Sequence, residues 1–382
     1  MESSLKNTDL VWVDQPQKLE EVANELAKHK IIAVDTESNS LYAYQEQVCL
    51  IQFSTSEKDY LVDALILKDL TPLAAIFYSD RILKVFHAAE YDLICLFRDY
   101  GFRFRFLFDT MTAARILGRK KVGLGSLLDE YFHLKMNKRY QRANWGRRPL
   151  PDEMLDYARL DSHYLIPLQE KLREELQSTG RWDLALEDFR RLTQNIEDTT
   201  ESSEDDFWKL RGAHDLSPEQ AAVLKSVFQL RESLAKAQDK PPFKIFSNQV
   251  VVEVAETCPE DPQSLSKVTC LSERLKKSFG RQILRVVKES KNAPPVFPEP
   301  RERADNGVLQ RMDVLREWRK DTAQGLGVPS DVILPRDVLN RIARGDPENA
   351  QSLKKLMKDV PYRYHRFGGA MLQLLKKGTK HG

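Results

Sequence analysis

Asp35 and Glu37 stand one residue apart at the end of the apolar run IIAVDTES (31–38). If that run is a strand, residues i and i+2 share a face, so both carboxylates aim at one place. Close anions repel unless a cation sits between them, and hard oxygen ligands suit Mg²⁺ or Mn²⁺. Taken alone, the D-x-E spacing more often simply ends a strand in solvent, so further acids must decide. HAAEYDL places Asp92 on a helix after the strand-like ILKVF (82–86), and YARLD places Tyr157 and Asp161 four apart on one helical face. Brought together, Asp35, Glu37, Asp92 and Asp161 could hold two divalent ions, a pair able to activate water and stabilise the leaving oxygen of a phosphoryl displacement. Tyr157, with an ordinary pKa near ~10, would orient the water rather than take its proton.

These residues need a rigid frame. Short β-rich runs at IIAVD (31–35), VCLIQFS (48–54), DYLVD (59–63) and ILKVF (82–86) alternate with amphipathic stretches near 88–100, 110–117, 124–132 and 151–176. That order predicts an α/β domain on a mixed sheet. Between His133 and Leu150 neither period persists, and Met111 to Leu150 holds ten basic residues against two acids. A long irregular segment of this kind is more often functional than accidental. Trp145 and Arg148 are expected to lock the loop while Lys138, Arg139 and Arg142 face phosphates. Asp109 reads as a helix N-cap, Asp63 as a turn or cap and His163 as structural. His87 is either a satisfied histidine or a contact to substrate.

The whole chain, 382 residues with 41% hydrophobic and 30% charged, is long enough for two or three domains. Its net charge of +2 hides a distribution: residues 1–200 carry 27 Lys and Arg against 32 Asp and Glu, residues 305–382 carry 15 against 9. No apolar run approaches the ~20 residues a membrane span needs, and the polar N-terminus reads as lacking an export signal. Cys49, Cys95, Cys258 and Cys270 lack zinc or disulfide spacing, so a cytoplasmic setting is expected. The acidic IEDTTESSEDD (196–206) reads as a linker. Beyond it Ser217-Pro218-Glu219-Gln220 offers a capping box. A weak repeat relates 230–255 to 315–343, offset by 85 residues at its start and 88 at its end, with three extra residues assigned to a loop of the second copy. Arg316, Arg319, Lys354, Lys355, Arg363 and Arg366 in that copy are expected to capture a polyanion outside the acid cluster, RNA if the resemblance described next holds.

DTE, HxxxYD and YARLD, in this order, resemble the DEDD exonuclease superfamily in its branch with a tyrosine four residues before the last aspartate. YLVDAL, KVFHAAEYD, LFDT and NKRYQRANWGRRPLPDEMLDYARLDSHYLIPL together resemble ribonuclease D and its nuclear exosome-associated relatives over most of residues 10–190, and the repeated unit resembles the HRDC domain. The resemblance implies a ribonuclease H-like exonuclease domain over 1–195 and two small all-α HRDC-like domains over 208–290 and 305–380. It implies a 3′→5′ exoribonuclease releasing nucleoside 5′-monophosphates, with metal ligands Asp35, Glu37, Asp92 and Asp161, and Tyr157 orienting water. Its expected partners are two divalent ions and RNA, as tRNA precursors or other structured RNA with a single-stranded 3′ end. No membrane, no nucleotide cofactor and a monomeric state are expected. Lys138 matches a substrate-contacting position, with Arg139, Arg142, Tyr42 and His87 as further substrate candidates. Cys95 replaces a tryptophan that stacks on a base in the nuclear relatives, which leaves Tyr42 as a candidate stacking partner.

Two other readings share these residues. A DNA exonuclease would use the same acids, since the choice of polymer rests on contacts to the 2′-OH. A non-catalytic RNA-binding adaptor would need no intact acid set. The absence of GxxxxGK[ST] excludes an ATP-driven motor at the level of motif.

Overall fold

The computed structural model describes residues 9–194, 196, 205–291, 293–299 and 305–378. Most of the acidic segment 196–206, expected as a linker, lies outside the described residues. Contacts divide the chain into two units, one of Met1–Glu37, Val48–Thr199 and Arg303–Gly382, the other of Ser38–Gln47 and Thr200–Glu302.

In the first unit six strands form one sheet: β1 (Asp9–Val13), β2 (Ile31–Ser38), β3 (Val48–Ser54), β4 (Lys58–Asp63), β5 (Leu83–Phe86) and β6 (Leu107–Asp109). Their spatial order is β1-β4-β3-β2-β5-β6. β1 pairs with β4, β2 with β5 and β5 with β6 in parallel, whereas β3 and β4 run antiparallel. The expected mixed sheet is therefore present, and β1 and β6 at its edges are additions to it. β3 is buried along its whole length, as its unbroken apolar run requires of a strand covered on both faces.

Period-2 alternation divides the strands between two cores. Ile32, Val34 and Phe86 pack with Leu19, Leu26, Leu93 and Leu96 from helices Pro16–Leu26 and Glu90–Tyr100. Ala33, Val85 and Phe108 pack with Leu168, Leu172 and Phe189 from helices Leu165–Ser178 and Trp182–Gln194. Each fully buried Leu, Val or Phe contributes about 1.5–3 kcal/mol. By the same alternation Asp35 and Glu37 continue the parity of Ile31 and Ala33, which fixes the face on which the acids emerge.

One expected helix is two. The stretch 151–176 divides into Asp152–His163 and Leu165–Ser178, with Tyr164 at φ −94°, ψ 2° between them. Pro167 is the cause: it has no N–H for the carbonyl of His163, and its ring collides with that carbonyl. The break lets Asp152–His163 cross β3 and β4 while Leu165–Ser178 packs beside Thr110–Ile116.

The helical repeat consists of five helices per copy. Pro218 and Asn306, Pro242 and Ser330, Asn248 and Arg336, Pro262 and Ala350, and Glu273 and Pro361 begin corresponding helices, each pair 88 residues apart. The three-residue loop insertion expected in the second copy is therefore absent. Leu-Arg-Glu recurs three residues out of structural register, close to one helical turn, so it keeps its face while misaligning the sequence. The capping box is formed: Ser217 N–H donates to Gln220 Oε1 at 2.9 Å and Gln220 N–H to Ser217 Oγ at 3.3 Å.

The second copy is docked on the α/β domain by charge. Arg363, fully buried, donates to Glu187 Oε1 at 2.6 Å, Asp188 Oδ2 at 2.8 Å and the Val332 carbonyl. Arg191 pairs with Asp337 at 2.8 Å and with Asp359, and Arg115 with Asp331. The expectation that Arg363 captures RNA is thus overturned. Arg319 donates to the Leu334 carbonyl, Arg316 pairs with Asp313, and Arg366 packs on Tyr362 and Phe367. Lys354 and Lys355 are exposed.

Candidate active site

β2, helix Glu90–Tyr100 and helix Asp152–His163 carry the four acids. One carboxylate oxygen each from Asp35, Glu37 and Asp161 falls within 4.8 Å of the others. Asp92 sits in the first turn of its helix, where the N-terminal dipole favours an anion, and accepts a hydrogen bond from Thr36 Oγ1. Thr36, the residue between the two acids of β2, points to the opposite side of the pleat and so ties that strand to the Asp92 helix.

Electrostatics show how crowded the cluster is. Burial pushes the Asp35 carboxyl well above the usual carboxylate range, and Asp92, Asp161 and Glu37 push it further. Glu37 is raised by burial and then by Asp161 and Asp92. Asp161 is pushed up to about 7 by burial, against the hydrogen bond from Tyr157 and with a further push from Asp92. Asp92 also rises to about 7 by burial, opposed by Thr36. Asp35, Glu37 and Asp161 line one cleft, and Asp92, outside both that lining and the converging trio, still acts on each of them electrostatically; no basic side chain is among the causes of these shifts. All-oxygen ligation of this kind fits hard divalent cations.

Tyr157 hydrogen-bonds Asp161, and its own hydroxyl is pushed far up by burial, then by Asp161, Glu37 and Asp35. It therefore keeps its proton throughout the neutral range. Its ring is held between Tyr140, 5.9 Å away and edge-on, and Trp145, 6.1 Å away. The irregular loop after Phe132 thus acts as a mount for Tyr157. Arg148 anchors that loop, donating to Asp63 at 2.5 and 2.7 Å, to the Cys49 carbonyl at 2.8 Å and to the Trp145 carbonyl at 2.7 Å. Asp63 also accepts from the Leu65 and Ile66 amides, the turn role expected of it.

A cavity of about 320 Å³ opens at the acids, lined by Asp35, Glu37, Asp161, Tyr157, His87 and Lys138 among others. His87 and Lys138, two of the substrate candidates, are therefore in the cavity. Arg139 instead lies over Tyr140 at 5.3 Å, and Arg142 is exposed outside the lining. Tyr42 belongs to the second unit, where Lys244 stacks on it at 4.1 Å. Cys95 is buried in the core between sheet and helix, so it offers no stacking surface.

Further bonds hold the elements that carry the acids. Arg159, within YARLD, is buried and donates to Asp59 Oδ2 at 2.7 Å, and His163 Nδ1 lies 3.0 Å from the same oxygen. These bonds fix the rotation of the helix bearing Tyr157 and Asp161 against β4. Asp109 caps its helix by accepting from Thr112 N–H at 2.6 Å, and its other oxygen accepts from Ala89 N–H at 2.7 Å. The second bond steadies the turn into the Asp92 helix, where Ala88 adopts φ 61°. A non-glycine residue there marks local strain held by its surroundings. Asp109 was expected as an N-cap and His163 as structural, whereas no role for Arg159 or Asp59 was read from the sequence.

Comparison with known proteins agrees with this architecture. Residues 10–177 match a family described as 3'-5' exonuclease, and residues 220–287 and 308–375 each match the HRDC domain. The chain is 31% identical to the exosome complex exonuclease RRP6 of Saccharomyces cerevisiae over 80% of its length and 44% of the yeast protein's. It is 33% identical to protein RRP6-like 2 of Arabidopsis thaliana over 69% of this chain and 32% of that one. It thus spans less than half the length of these relatives. The catalytic core of RRP6 from Trypanosoma brucei superposes with a TM-score of 0.65 at 29% identity, covering 75% of this chain and 80% of that one. Escherichia coli RNase D, at 23% identity, shares the fold with a TM-score of 0.71 over 97% and 99% of the two chains. Exonucleases of the DEDD type use two divalent metal ions, and the carboxylate cluster fits that use. The chain therefore carries a DEDD-type 3′-5′ exonuclease domain and two HRDC domains, and RRP6 proteins are among its relatives.

Proposed function

We propose that this protein is a 3′→5′ exoribonuclease that shortens RNA one nucleotide at a time, releasing nucleoside 5′-monophosphates. The observation that carries the reading is the convergence of Asp35, Glu37 and Asp161 within 4.8 Å, with Asp92 tied to the same strand through Thr36. Asp35, Glu37, Asp92 and Asp161 are the proposed metal ligands. Bound there, two Mg²⁺ or Mn²⁺ ions would supply activation of the attacking water and stabilisation of the leaving 3′-oxygen.

The chain's own residues do the rest. Burial and mutual repulsion favour the protonated form of the four carboxyls and bound cations would favour the charged form, so affinity for metal would rise with pH. Tyr157 remains a hydrogen-bond donor and orients the water beside Asp161. Lys138, exposed at the rim, meets a phosphate without reading sequence, and Arg139 and Arg142 extend the same basic loop along the strand. A cavity of about 320 Å³ is at the small end of ligand sites and admits a terminal nucleotide rather than a duplex. That favours RNAs with a structured body and a single-stranded 3′ end, tRNA precursors among them, as substrates. Four free cysteines are in keeping with a reducing compartment such as the cytoplasm. No described helix is long and apolar enough to cross a membrane.

The test is the degradation of a single-stranded RNA labelled at its 5′ end, with Mg²⁺ or Mn²⁺ and with EDTA. A ladder that shortens from the 3′ end only when cation is present supports the reading. Internal cleavage, or degradation of matched DNA in preference to RNA, contradicts it.

A further inference from the structure

The imidazole of His87 has one nitrogen engaged and one left over. Nδ1 lies 2.9 Å from Thr110 Oγ1, and the Thr110 hydroxyl donates to the Phe86 carbonyl at 3.1 Å. A hydroxyl has one proton, and a carbonyl can only accept. Both contacts are hydrogen bonds only if Nδ1 carries the ring proton and donates to Thr110. In the neutral ring Nε2 is then unprotonated, a lone-pair acceptor. Burial lowers the affinity of this ring for a second proton, against the opposing pull of Asp109, which keeps it neutral at physiological pH. His87 lines the cavity that holds Asp35, Glu37, Asp161 and Tyr157, and Nε2 has no hydrogen-bond partner among the described residues. It also stands outside the group of acids whose oxygens converge.

An acceptor in that place restricts what can satisfy it. Phosphate oxygens are acceptors themselves and cannot pair with it. Amino and imino groups of the bases can donate, but they differ from base to base, whereas an enzyme that steps along RNA meets a new base at each turn. The donors present on every ribonucleotide are ribose hydroxyls, and the 2′-OH is the one absent from DNA. Resting on the exoribonuclease reading above, we propose that His87 Nε2 accepts a hydrogen bond from the 2′-OH of the 3′-terminal ribose and so selects RNA over DNA. The selecting group is held by the network that steadies the start of the Asp92 helix, through Thr110, Asp109 and the strained turn at Ala88. Recognition of the sugar is thereby coupled in space to placement of a ligand.

The experiment compares kcat/KM for three single-stranded oligonucleotides of one sequence: all-RNA, the same with a 2′-deoxy terminal residue, and the same with a 3′-deoxy terminal residue. One hydrogen bond to a neutral acceptor predicts that the wild type prefers the RNA over its 2′-deoxy form by about tenfold. His87→Asn retains a donor near the Nδ1 position but nothing at Nε2, and brings that ratio close to one. His87→Gln, which restores an acceptor near Nε2, recovers part of the preference. A wild-type ratio near tenfold that persists in His87→Asn overturns the inference. So does a variant that loses discrimination against the 3′-deoxy end alone. If the wild type degrades none of the three, the exoribonuclease reading itself falls, and this inference with it.

Discussion

Replacing Asp161 by asparagine removes one negative charge from the acid cluster and leaves an oxygen that can still accept from Tyr157. Burial first, then Asp92, raises the Asp161 carboxyl from 3.8 to about 7. A shift of about three units, at ~1.4 kcal/mol each, would oppose folding by roughly 4 kcal/mol if nothing screened it. Asp161 keeps a partial exposure to solvent, and screening there brings the expected cost to about 1–2 kcal/mol. The sign follows from proton binding: between the unfolded value and about 7 the folded state holds the proton more tightly, so metal-free stability falls as pH rises through that window. Asp161→Asn should then melt higher than the wild type in EDTA at pH 8, by a few degrees, with the advantage shrinking toward pH 4. Adding Mg²⁺ should raise the melting temperature of the wild type and narrow or reverse the gap. Thermal unfolding at several pH values with and without cation provides the measurement. If Asp161→Asn is less stable than the wild type in EDTA at pH 8, the cluster is not an array of repelling carboxylates awaiting cations, and the reasoning fails.

Three further outcomes follow from the same chemistry. Tyr157→Phe keeps the ring between Tyr140 and Trp145 but loses the hydroxyl, so kcat should drop by about 10²-fold with KM little changed; because burial and the acids keep Tyr157 protonated, the wild-type rate should show no loss from its ionisation up to pH 10 in steady-state kinetics. Arg363→Met strands Glu187 and Asp188 at the contact of the second HRDC domain and should cost about 3–5 kcal/mol in urea unfolding, part of it recovered by adding Glu187→Gln. Lys84 is fully buried beside Phe86, bonded to the Ser79 carbonyl at 2.5 Å, and burial lowers it to about 7 against the pull of Asp80. The unfolded state therefore binds its proton more tightly between about 7 and the ordinary lysine value, so Lys84→Met should stabilise the protein most at or below pH 7 and progressively less as pH rises toward 10, which denaturant titration at two pH values can check.

What the sequence disclosed depended on whether one short segment contained the whole cause. The charged end of β2, the Ser217 capping box and the Asp109 cap each lie within a few residues and were readable as such. Pro167 was equally local, yet the apolar period runs through it without a break, and periodicity alone joined two helices into one. β6, three residues long, is too short for alternation to separate it from loop, and it is their places beside β4 and β5 that make β1 and β6 strands. Arg363 and Lys84 show the harder limit. Charge in a sequence suggests solvent, and nothing nearby reveals that Glu187 lies across from the one or that the other is wholly buried with its ammonium on the Ser79 carbonyl. The ordered acids could be listed from the motifs, but the tie from Thr36 to Asp92, the mount of Tyr157 on Trp145 and the Thr110 contact that fixes His87 are long-range pairings that only the fold supplies.

The central claim is that this carboxylate cluster hydrolyses RNA from its 3′ end, and Asp35→Asn tests it most directly. With Mn²⁺ and a single-stranded RNA, the wild type should release nucleoside 5′-monophosphates, while Asp35→Asn should bind the same RNA with little loss and release none. Turnover that survives in the variant, or a wild type that binds RNA and liberates no 5′-monophosphate, would contradict the account.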